Sequence, residues 1–459
     1  MNELSFTTLP LPLAQLENLE SLGYHTMTAI QAEALPLALA GKDLIAQAKT
    51  GSGKTAAFGV PLLCALNPRD FVPQALILCP TRELATQVAT EIRRLARYQQ
   101  NIKVVSLTGG SSIGPQIGSL EHGAHIVVGT PGRLKDHLRK KTLDLSQVKT
   151  LVLDEADRML EMGFVEDIET IIEETPSARQ TLMFSATYPD DILALSSRFQ
   201  SKPEKVSVDI LHSNQHIKQQ FFICQKNARL NSLVKMLEHF KPESAVVFCN
   251  TRQFVRDVYG YLSQQGIAVA ALHGDLEQRD RDQVLVQFKQ RSCRVLVATD
   301  VAARGLDIDD LSAVINYELP HNPEIYVHRI GRTGRAGKEG LALSLLADSE
   351  RYKLGVFGDY LGQKLAPEAI EVLPASDAKL GAPTYITLCI AGGRKQKVRP
   401  GDILGALTGD AGIEGKRVGK IEVMDYAAYV AIEREVADKA LGRLIKGKIK
   451  GRKFKVRKL

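Results

Sequence analysis

Residues 43–66, DLIAQAKTGSGKTAAFGVPLLCAL, decide the fold of the first part of the chain. The short apolar run at 43–47 leads into a glycine-rich turn, and a pattern typical of a helix follows the turn. Glycines let successive backbone N–H groups face a phosphate, and the helix adds its positive N-terminus. The sequence therefore predicts a phosphate-binding loop in an α/β domain. The alternative is a turn that binds nothing, and the G-K-T ending in this context argues against it.

The loop and a second, acidic motif predict an ATP site with Mg²⁺. Lys54 would hold the β- and γ-phosphates, and Thr55 would bind the metal ion. An apolar run at 150–153 ends in Asp154 and Glu155, and an acid pair at a strand tip suits Mg²⁺. Asp154 would hold the ion, partly through water, while Glu155 would activate the water that attacks the γ-phosphate. Such acids often only cap a helix, but the phosphate loop favours the metal site.

Length and composition predict a multidomain protein that is not membrane-bound. The 459 residues suggest about three domains. No apolar run reaches the roughly 18 residues that a membrane span needs. The N-terminus lacks the pattern of a secretory signal, so we expect a cytoplasmic protein, and we expect a monomer. The six cysteines form no C-x-x-C pair and are expected to be reduced core residues.

Positive charge is concentrated at the C-terminal end of the chain. Residues 376–459 carry 19 Lys+Arg against 9 Asp+Glu, a net +10, whereas residues 1–375 carry 40 against 43, a net −3. This asymmetry points to a polyanionic partner, most simply a nucleic acid. A solvated basic face that only aids solubility remains the alternative.

Two series of apolar runs predict two similar α/β domains. The first contains DLIAQ, ALILCP, IVVGTP, TLVLDEAD and TLMFSAT, and the second contains SAVVFCNT, AVAALHGD, RVLVATD and AVINYELP. Helical patterns separate the runs, which indicates parallel sheets with helices on both faces. The predicted boundaries are domain 1 at 1–208, a linker at 209–218 and domain 2 at 219–370.

A third region has a different pattern. After a linker at 371–382, residues 383–459 contain shorter runs in the order βαββαβ, which is the order of a small α+β, RRM-like module.

The chain resembles the DEAD-box RNA helicases, whose name is spelled by Asp154-Glu155-Ala156-Asp157. The resemblance covers roughly residues 6 to 345 through an ordered series of motifs, and it implies two RecA-like domains in tandem with ATP hydrolysis coupled to RNA. Residues 23–31, with Phe6 upstream, resemble the Q motif. Gln31 would distinguish adenine through its amide donor and acceptor, and Phe6 or Tyr24 would cover the ring unless these aromatics are simply core. The implied ATP-binding residues are Phe6, Tyr24, Thr28, Gln31, Ala48, Lys49, Thr50, Gly51, Ser52, Gly53, Lys54, Thr55 and Asp307.

The second domain has no G-K-T motif, so the two domains are expected to share one ATP. By resemblance, Arg332 and Arg335 would be arginine fingers that neutralise charge on the γ-phosphate, and Asp307 would meet the ribose. Arginines between turns are usually only solvated, but the G-R-x-G-R spacing favours catalysis. The implied catalytic residues are Lys54, Asp154, Glu155, Arg332 and Arg335.

Other polar strand tips resemble the RNA-binding motifs of the family. Arginine suits phosphate, threonine suits phosphate or sugar, and glycine permits close approach, so such contacts would ignore base identity. Each alone is more often a turn or a cap. Ser185 and Thr187 resemble the motif that couples ATP state to RNA, and domain closure on a bent strand would unwind short duplexes. The implied RNA-binding residues of the two motor domains are Pro80, Thr81, Arg82, Gly109, Gly110, Thr130, Pro131, Gly132, Arg133, Asn250, Thr251, Arg252, Gly274, Asp275, Gln278, Arg281 and Thr299.

The C-terminal region resembles the RNA-binding domain of the bacterial DbpA subfamily. This resemblance implies recognition of a hairpin in 23S ribosomal RNA and a role in assembly of the large (50S) ribosomal subunit and its precursors. Residues 425–432 match the RNP1 pattern poorly, which argues against base stacking on the sheet. Binding would then use Arg394, Lys395, Lys397, Lys416, Arg417, Lys453 and Lys455.

Several alternatives stay open at this level. The C-terminal region would be a sequence-blind tether if its basic residues meet only phosphate. The whole chain would be an RNA-dependent ATPase clamp or a remodeller of RNA–protein complexes if it separates no strands. A scaffold with an inactive motor and a DNA helicase rank lower.

Overall fold

The computed structural model describes residues 4–48, 51–185, 190–208, 217–303, 311–334, 339–374, 380–409 and 412–459. Within these ranges the chain forms two seven-stranded sheets and one four-stranded sheet. It folds as two compact units, of which the first contains the first sheet and the second contains the other two.

The first sheet is parallel and carries the phosphate loop. Its inner strands are almost completely buried, as expected for a parallel sheet covered by helices. The two edge strands, Val104–Leu107 and Glu204–Ser207, were not predicted. In chain order the strands are β1 Leu44–Gln47, β2 Ala75–Leu78, β3 Val104–Leu107, β4 Ile126–Gly129, β5 Thr150–Asp154, β6 Gln180–Ser185 and β7 Glu204–Ser207. Their spatial order is β3-β4-β2-β5-β6-β1-β7.

Helices pack on both faces of this sheet. Successive residues of a strand point to opposite faces, so each strand contributes side chains to two hydrophobic cores. Val152 belongs to one hydrophobic core, whereas its neighbours Leu151 and Leu153 belong to the other. The helices are α1 Leu13–Ser21, α2 Ala29–Leu39, α3 Lys54–Cys64, α4 Arg82–Leu95, α5 Gly114–Glu121, α6 Pro131–Arg139, α7 Ala156–Glu161, α8 Val165–Glu173 and α9 Asp190–Phe199.

The second sheet repeats the first. Its order is β10-β11-β9-β12-β13-β8-β14, which is the order of the first sheet with every strand number raised by seven, and its pairs are also parallel. The predicted tandem of two similar parallel-sheet domains is therefore confirmed. Its strands are β8 Ile217–Ile223, β9 Ala245–Cys249, β10 Val269–Leu272, β11 Val295–Thr299, β12 Ala313–Asn316, β13 Gly340–Leu346 and β14 Pro367–Ala369. Its helices are α10 Arg229–Phe240, α11 Arg252–Gln264, α12 Gln278–Lys289, α13 Asp300–Ala303, α14 Pro323–Ile330 and α15 Tyr352–Leu361.

The third sheet is antiparallel, and its order is β16-β17-β15-β18. The chain order β15 Tyr385–Ile390, α16 Pro400–Thr408, β16 Val418–Val423, β17 Ala428–Glu433, α17 Ala437–Lys446 and β18 Val456–Lys458 confirms the predicted βαββαβ module. Alternate residues of β15 and β17, such as Leu388 and Val430, join Ile403 and Leu444 of the two helices in a separate core.

All six cysteines are free thiols. Five are buried, as predicted, but Cys64 is exposed at the end of α3, where its Sγ donates to Gln15 Oε1 over 3.0 Å. In the described part of the chain we find no helix that combines the length and the apolar character of a membrane span.

Candidate nucleotide site and nucleic-acid interface

The strand order of the first sheet separates the candidate motifs into two groups. The phosphate loop, the acidic pair and Ser185 follow β1, β5 and β6, which are neighbours in the sheet. The candidate RNA motifs follow β2, β3 and β4, which are neighbours at the other end. Because the carboxyl ends of parallel strands share one edge, each group is brought together there.

The Q-motif residues hold the phosphate loop in shape. Gln31 Nε2 donates to the carbonyl of Gly53 over 3.0 Å, and Thr28 Oγ1 donates to the carbonyl of Ser52 over 2.7 Å. The Gln31 Oε1 atom accepts from the backbone N–H of Thr28 over 2.9 Å at the start of α2. Gly53 has φ +91°, and a Cβ there would lie 2.4 Å from Gln31 Nε2, so only glycine fits. The side chain predicted to contact adenine thus also braces the loop.

Lys54 and Asp154 form a buried, incompletely satisfied pair. Their Nζ and Oδ1 atoms lie 3.9 Å apart, and neither atom has a hydrogen-bond partner within the described residues. Burial raises the pKa of Asp154 to about 6; Lys54 opposes this rise and Glu155 adds to it. Buried polar atoms are normally paired, so a cation beside Asp154 and a phosphate beside Lys54 fit this site.

Glu155 has an unusual backbone conformation between β5 and α7. It lies in the left-handed region, with φ +53° and ψ +52°, and its side chain is buried. Arg158 Nε lies 3.8 Å from Glu155 Oε2, and both side chains are almost fully enclosed. Left-handed non-glycine residues cost about 1–3 kcal/mol and concentrate at functional sites.

The remaining nucleotide candidates are placed as follows. The N–H of buried Ala48 donates to the carbonyl of Ser185 over 2.9 Å, which joins the loop to the tip of β6. Phe6 is 4 % exposed within the hydrophobic core and meets Tyr24 edge-on, so packing accounts for it. The Tyr24 hydroxyl donates to Glu91 over 2.8 Å. Candidates outside the described residues are Lys49, Thr50, Thr187, Asp307 and Arg335.

The first candidate RNA group is built around Arg82. Thr81 caps the start of α4, and its Oγ1 accepts from the N–H of Leu84 over 3.2 Å, next to buried Pro80. A Cβ on Gly110 would lie 1.6 Å from Arg82 Nη1. The turn at 109–110 can therefore pack against the guanidinium only because Gly110 has no side chain. Two strand tips therefore form one surface.

The adjacent tip of β4 adds Arg133. Thr130 precedes α6, Pro131 is its first residue, and Gly132 is exposed. Arg133 Nη2 donates to the carbonyl of Ser111 over 2.9 Å, whereas its Nε and Nη1 have no hydrogen-bond partner among the described residues. Both atoms are buried, and Nε also lies 3.9 Å from Asp136 Oδ2.

The second sheet presents its candidates at the equivalent strands β9, β10 and β11. Arg252 and Arg256 both form ion pairs with Asp275, the latter over 2.7 Å, beside exposed Gly274. The side chain of Thr251 accepts from the N–H of Phe254 at the start of α11, and the Thr299 hydroxyl accepts from the N–H of Ala302.

The sequence analysis missed Arg329 in α14. This side chain is 2 % exposed, and its guanidinium donates to Asp300, Asn316 and Asn250 and to the carbonyl of Glu318 over 2.7–3.0 Å. It therefore ties together the tips of β9, β11 and β12. Asn250, a predicted RNA contact, uses its side-chain oxygen in this network. In the sequence, the only signal for Arg329 was its position within the motif at 328–335. Arg332, three residues later in the same motif, is also buried.

Comparisons with known proteins agree with this arrangement. The family models for the DEAD/DEAH box helicase, the helicase conserved C-terminal domain and the DbpA RNA binding domain match residues 28–195, 225–337 and 387–458. ATP-dependent RNA helicase DbpA of Escherichia coli (strain K12) is 52% identical over 459 residues, covering 99% of both chains. The chain belongs to the DbpA-type DEAD-box RNA helicases. It is an ATP-dependent RNA helicase, and RNA is its partner.

Further relatives of this DEAD-box helicase support the assignment. The DbpA protein of Bacillus subtilis (strain 168) is 40% identical over 464 residues, covering 96% of this chain and 97% of the relative. A structure of S. cerevisiae Dbp5 bound to RNA and ADP BeF3 is 31% identical with a TM-score of 0.72, and the match covers 80% of this chain and 96% of that chain.

The basic candidates of the helicase's C-terminal module lie on exposed loops and at its end. Several already have acidic neighbours: Arg394 pairs with Asp425 at 3.0 Å and Lys416 with Glu414 at 2.7 Å. Surface pairs of this kind contribute little and exchange readily for phosphate. Arg417 also has acidic neighbours, Glu433 and Glu435, while Lys395, Lys397, Lys453 and Lys455 are exposed.

Proposed function

We propose that ATP binds at the tips of β1 and β5 together with Mg²⁺. Lys54 holds the phosphates, Thr55 and Asp154 hold the ion, and Gln31 selects adenine. The observation that carries this proposal is the buried pair of Lys54 Nζ and Asp154 Oδ1, which lie 3.9 Å apart without hydrogen-bond partners in the described chain. A divalent cation and a phosphate would satisfy both atoms.

Glu155 is the base in this proposal. It directly follows Asp154 in the sequence, and its buried carboxylate lies 3.8 Å from Arg158 Nε. Hydrolysis by this class of site depends mainly on placing water and neutralising charge. The role of Arg332 and Arg335 as arginine fingers stays a prediction.

The C-terminal module selects the target RNA, which we propose is a hairpin of 23S ribosomal RNA during assembly of the large subunit in the cytoplasm. The net +10 of residues 376–459 and the match of residues 387–458 to the DbpA RNA binding domain support RNA binding there. A bound hairpin raises the effective concentration of neighbouring duplexes at the motor. The motor then separates short duplexes locally, through Arg82, Arg133 and the equivalent tips of the second sheet.

Strand displacement tests this function. One substrate carries a short duplex joined to a large-subunit ribosomal RNA hairpin, and the control carries a scrambled hairpin of equal length. We expect ATP-dependent displacement with a preference of at least about tenfold, or 1.4 kcal/mol, for the native hairpin. Equal use of both substrates would leave a sequence-blind helicase, and RNA-stimulated ATP hydrolysis without displacement would indicate a clamp or remodeller.

A further inference from the structure

The turn after β3, residues 108–111, contacts both of the other candidate RNA tips of the first sheet. Gly110 has φ +78° and packs against the Arg82 guanidinium. Arg133 Nη2 donates to the carbonyl of Ser111 over 2.9 Å. A glycine-rich turn has few side chains that restrict its backbone, so its shape depends on the segments that surround it.

Gln116 of α5 closes this turn. Its Nε2 donates to the carbonyl of Thr108 over 2.9 Å and to the hydroxyl of Ser111 over 3.3 Å. The two acceptors belong to the first and the last residue of the turn, so one amide group fixes both ends. The Oε1 atom of the same amide lies 3.2 Å from Nε2 of His137 in α6.

His137 is fully buried and anchors the Gln116 amide. Because Oε1 of the amide only accepts, His137 Nε2 must carry a proton and donate to it. Nδ1 then accepts from the Thr142 hydroxyl over 2.8 Å, whereas the other acceptor near this hydroxyl, the His137 carbonyl, lies at 3.2 Å. Burial lowers the pKa of His137, and Arg133 lowers it further, so the ring is neutral at neutral pH and has one N–H.

These hydrogen bonds run in one direction, from the Thr142 hydroxyl through the His137 ring and the Gln116 amide to the Thr108 carbonyl. Hydrogen bonds aligned in this way polarise and strengthen one another. His137 lies in the same helix as Arg133, and the other end of the series is the turn after β3. The series therefore fixes two candidate RNA tips relative to each other.

We propose that Gln116 and His137 are positioning residues that hold the turn at 108–111 in the shape that receives the RNA backbone, given the proposed role of this turn and of Arg133 in binding RNA. The turn presents backbone N–H groups to a phosphate, as glycine-rich turns do. A turn that is already ordered avoids the entropy that a loose turn would lose on binding. The two side chains therefore act on RNA affinity and leave the chemistry of ATP unchanged.

A substitution of the amide tests this role in the full chain. Gln116→Met keeps the length of the side chain and removes its donor and its acceptor. ATP hydrolysis is measured against the concentration of an unstructured single-stranded RNA. We expect the half-saturating RNA concentration to rise about fivefold, as for the loss of a hydrogen bond or two. The rate at saturating RNA and the half-saturating ATP concentration should stay within about twofold of wild type.

Gln264→Met is the matched control, because it makes the same change at an exposed residue at the end of α11. It should behave as wild type. An RNA requirement of Gln116→Met equal to that of this control would overturn the positioning role. A fall in the saturating rate without a change in the RNA requirement would overturn it as well.

A pair of substitutions at His137 tests the same series of hydrogen bonds and decides the question if Gln116→Met misfolds. His137→Gln keeps an N–H that can donate to Gln116, whereas His137→Leu has no polar side-chain atom. We expect His137→Leu to raise the half-saturating RNA concentration about fivefold, as for Gln116→Met, and His137→Gln to lie closer to wild type. Equal values for the two His137 variants would contradict the role of this ring.

Arg133→Ala distinguishes a failure of this positioning role from a failure of the RNA surface. If Arg133→Ala raises the half-saturating RNA concentration and Gln116→Met does not, the surface stands and the positioning role is wrong. If neither variant changes it, both are wrong. In Gln116→Met/Arg133→Ala the increase should be smaller than the product of the two single increases, because both side chains hold one turn. An increase equal to the full product would show that Gln116 acts independently of the turn, and would overturn the role.

Discussion

At the scale of single residues, Glu155 combines an unusual backbone conformation with its proposed role as the base in ATP hydrolysis. Its backbone is left-handed, and its buried carboxylate lies next to Asp154 in the chain and 3.8 Å from Arg158 Nε. Replacing this carboxylate by an amide of the same shape would keep the packing and remove the proton acceptor.

Glu155→Gln should therefore reduce ATP hydrolysis at least about 10²-fold while ATP and RNA binding persist. Single-turnover hydrolysis and nucleotide titration measure the two effects separately. Glu173→Gln, at an exposed site on α8, is the matched control and should hydrolyse ATP normally. Turnover near the wild-type rate in Glu155→Gln would remove this residue from the role of base.

Gln31 braces the phosphate loop and is proposed to select adenine, and a second variant separates these two roles. Gln31→Ala should weaken ATP binding and narrow the gap between ATP and GTP, because the amide supplies the adenine-specific contacts. It also removes the bond to the Gly53 carbonyl. Thr28→Val removes the hydrogen bond to the Ser52 carbonyl but no proposed contact with the base, so it should weaken the binding of ATP and of GTP equally. An unchanged ATP/GTP ratio in Gln31→Ala would refute base selection.

At the scale of secondary-structure elements, α6 offers a test of the RNA surface. Arg133 lies in its first turn, and its buried Nε and Nη1 atoms have no hydrogen-bond partner in the described chain, whereas the Arg139 side chain at the other end is exposed and pairs with Asp136. Arg133→Ala should raise the RNA concentration for half-maximal ATP hydrolysis about tenfold, as expected for one charge-assisted phosphate contact. Arg139→Ala should change it little. Equal effects of the two variants would place the RNA elsewhere.

The strand tips of the second sheet depend on α14 through Arg329. Arg329→Met leaves Asp300 and two asparagines without their buried donor, so the second domain should lose about 3–5 kcal/mol of stability. Arg256→Met breaks only the exposed pair with Asp275 and should cost less than about 1 kcal/mol. Urea dependence of hydrogen exchange in β9 and β12 measures both losses. A loss for Arg329→Met no larger than for Arg256→Met would show that the network does not hold these tips.

At the scale of the whole molecule, our proposal assigns target choice and chemistry to different parts of the chain. Residues 1–376 contain every ATP motif but have a net charge of −3. A chain cut near Asp377 should hydrolyse ATP only at high, non-selective RNA concentrations. The cut also exposes Val286 of α12, which packs against Cys389 and Tyr429 of the C-terminal module, so the solubility of the shortened chain should fall.

The fragment from Ser376 onward has its own core and should fold and bind a native hairpin with a steep dependence on salt. Titration against a scrambled hairpin at physiological salt is the measurement. A preference for the native over the scrambled hairpin below about tenfold would show that the fragment is only a sequence-blind tether.

The sequence alone determined the class of fold and the chemistry of the motor. The rhythm of apolar runs predicted two parallel sheets and a βαββαβ module, because strand and helix periodicities are local properties of the chain. Spacing likewise predicted the phosphate loop and the acidic pair, since these motifs are contiguous and their groups act together within a few residues.

Tertiary structure decided which distant groups meet. The strand order separates the nucleotide tips from the candidate RNA tips, and a sequence lists strands in chain order only. Burial of Arg329, the left-handed backbone of Glu155 and the brace between Gln31 and Gly53 depend on packing between segments that lie far apart in the chain. The polar edge strand β7 escaped prediction because its pairing with β1, rather than apolar periodicity, makes it a strand. The contact of α12 with the C-terminal sheet is the clearest case, because it joins two domains whose separate sequence patterns carry no information about their shared face.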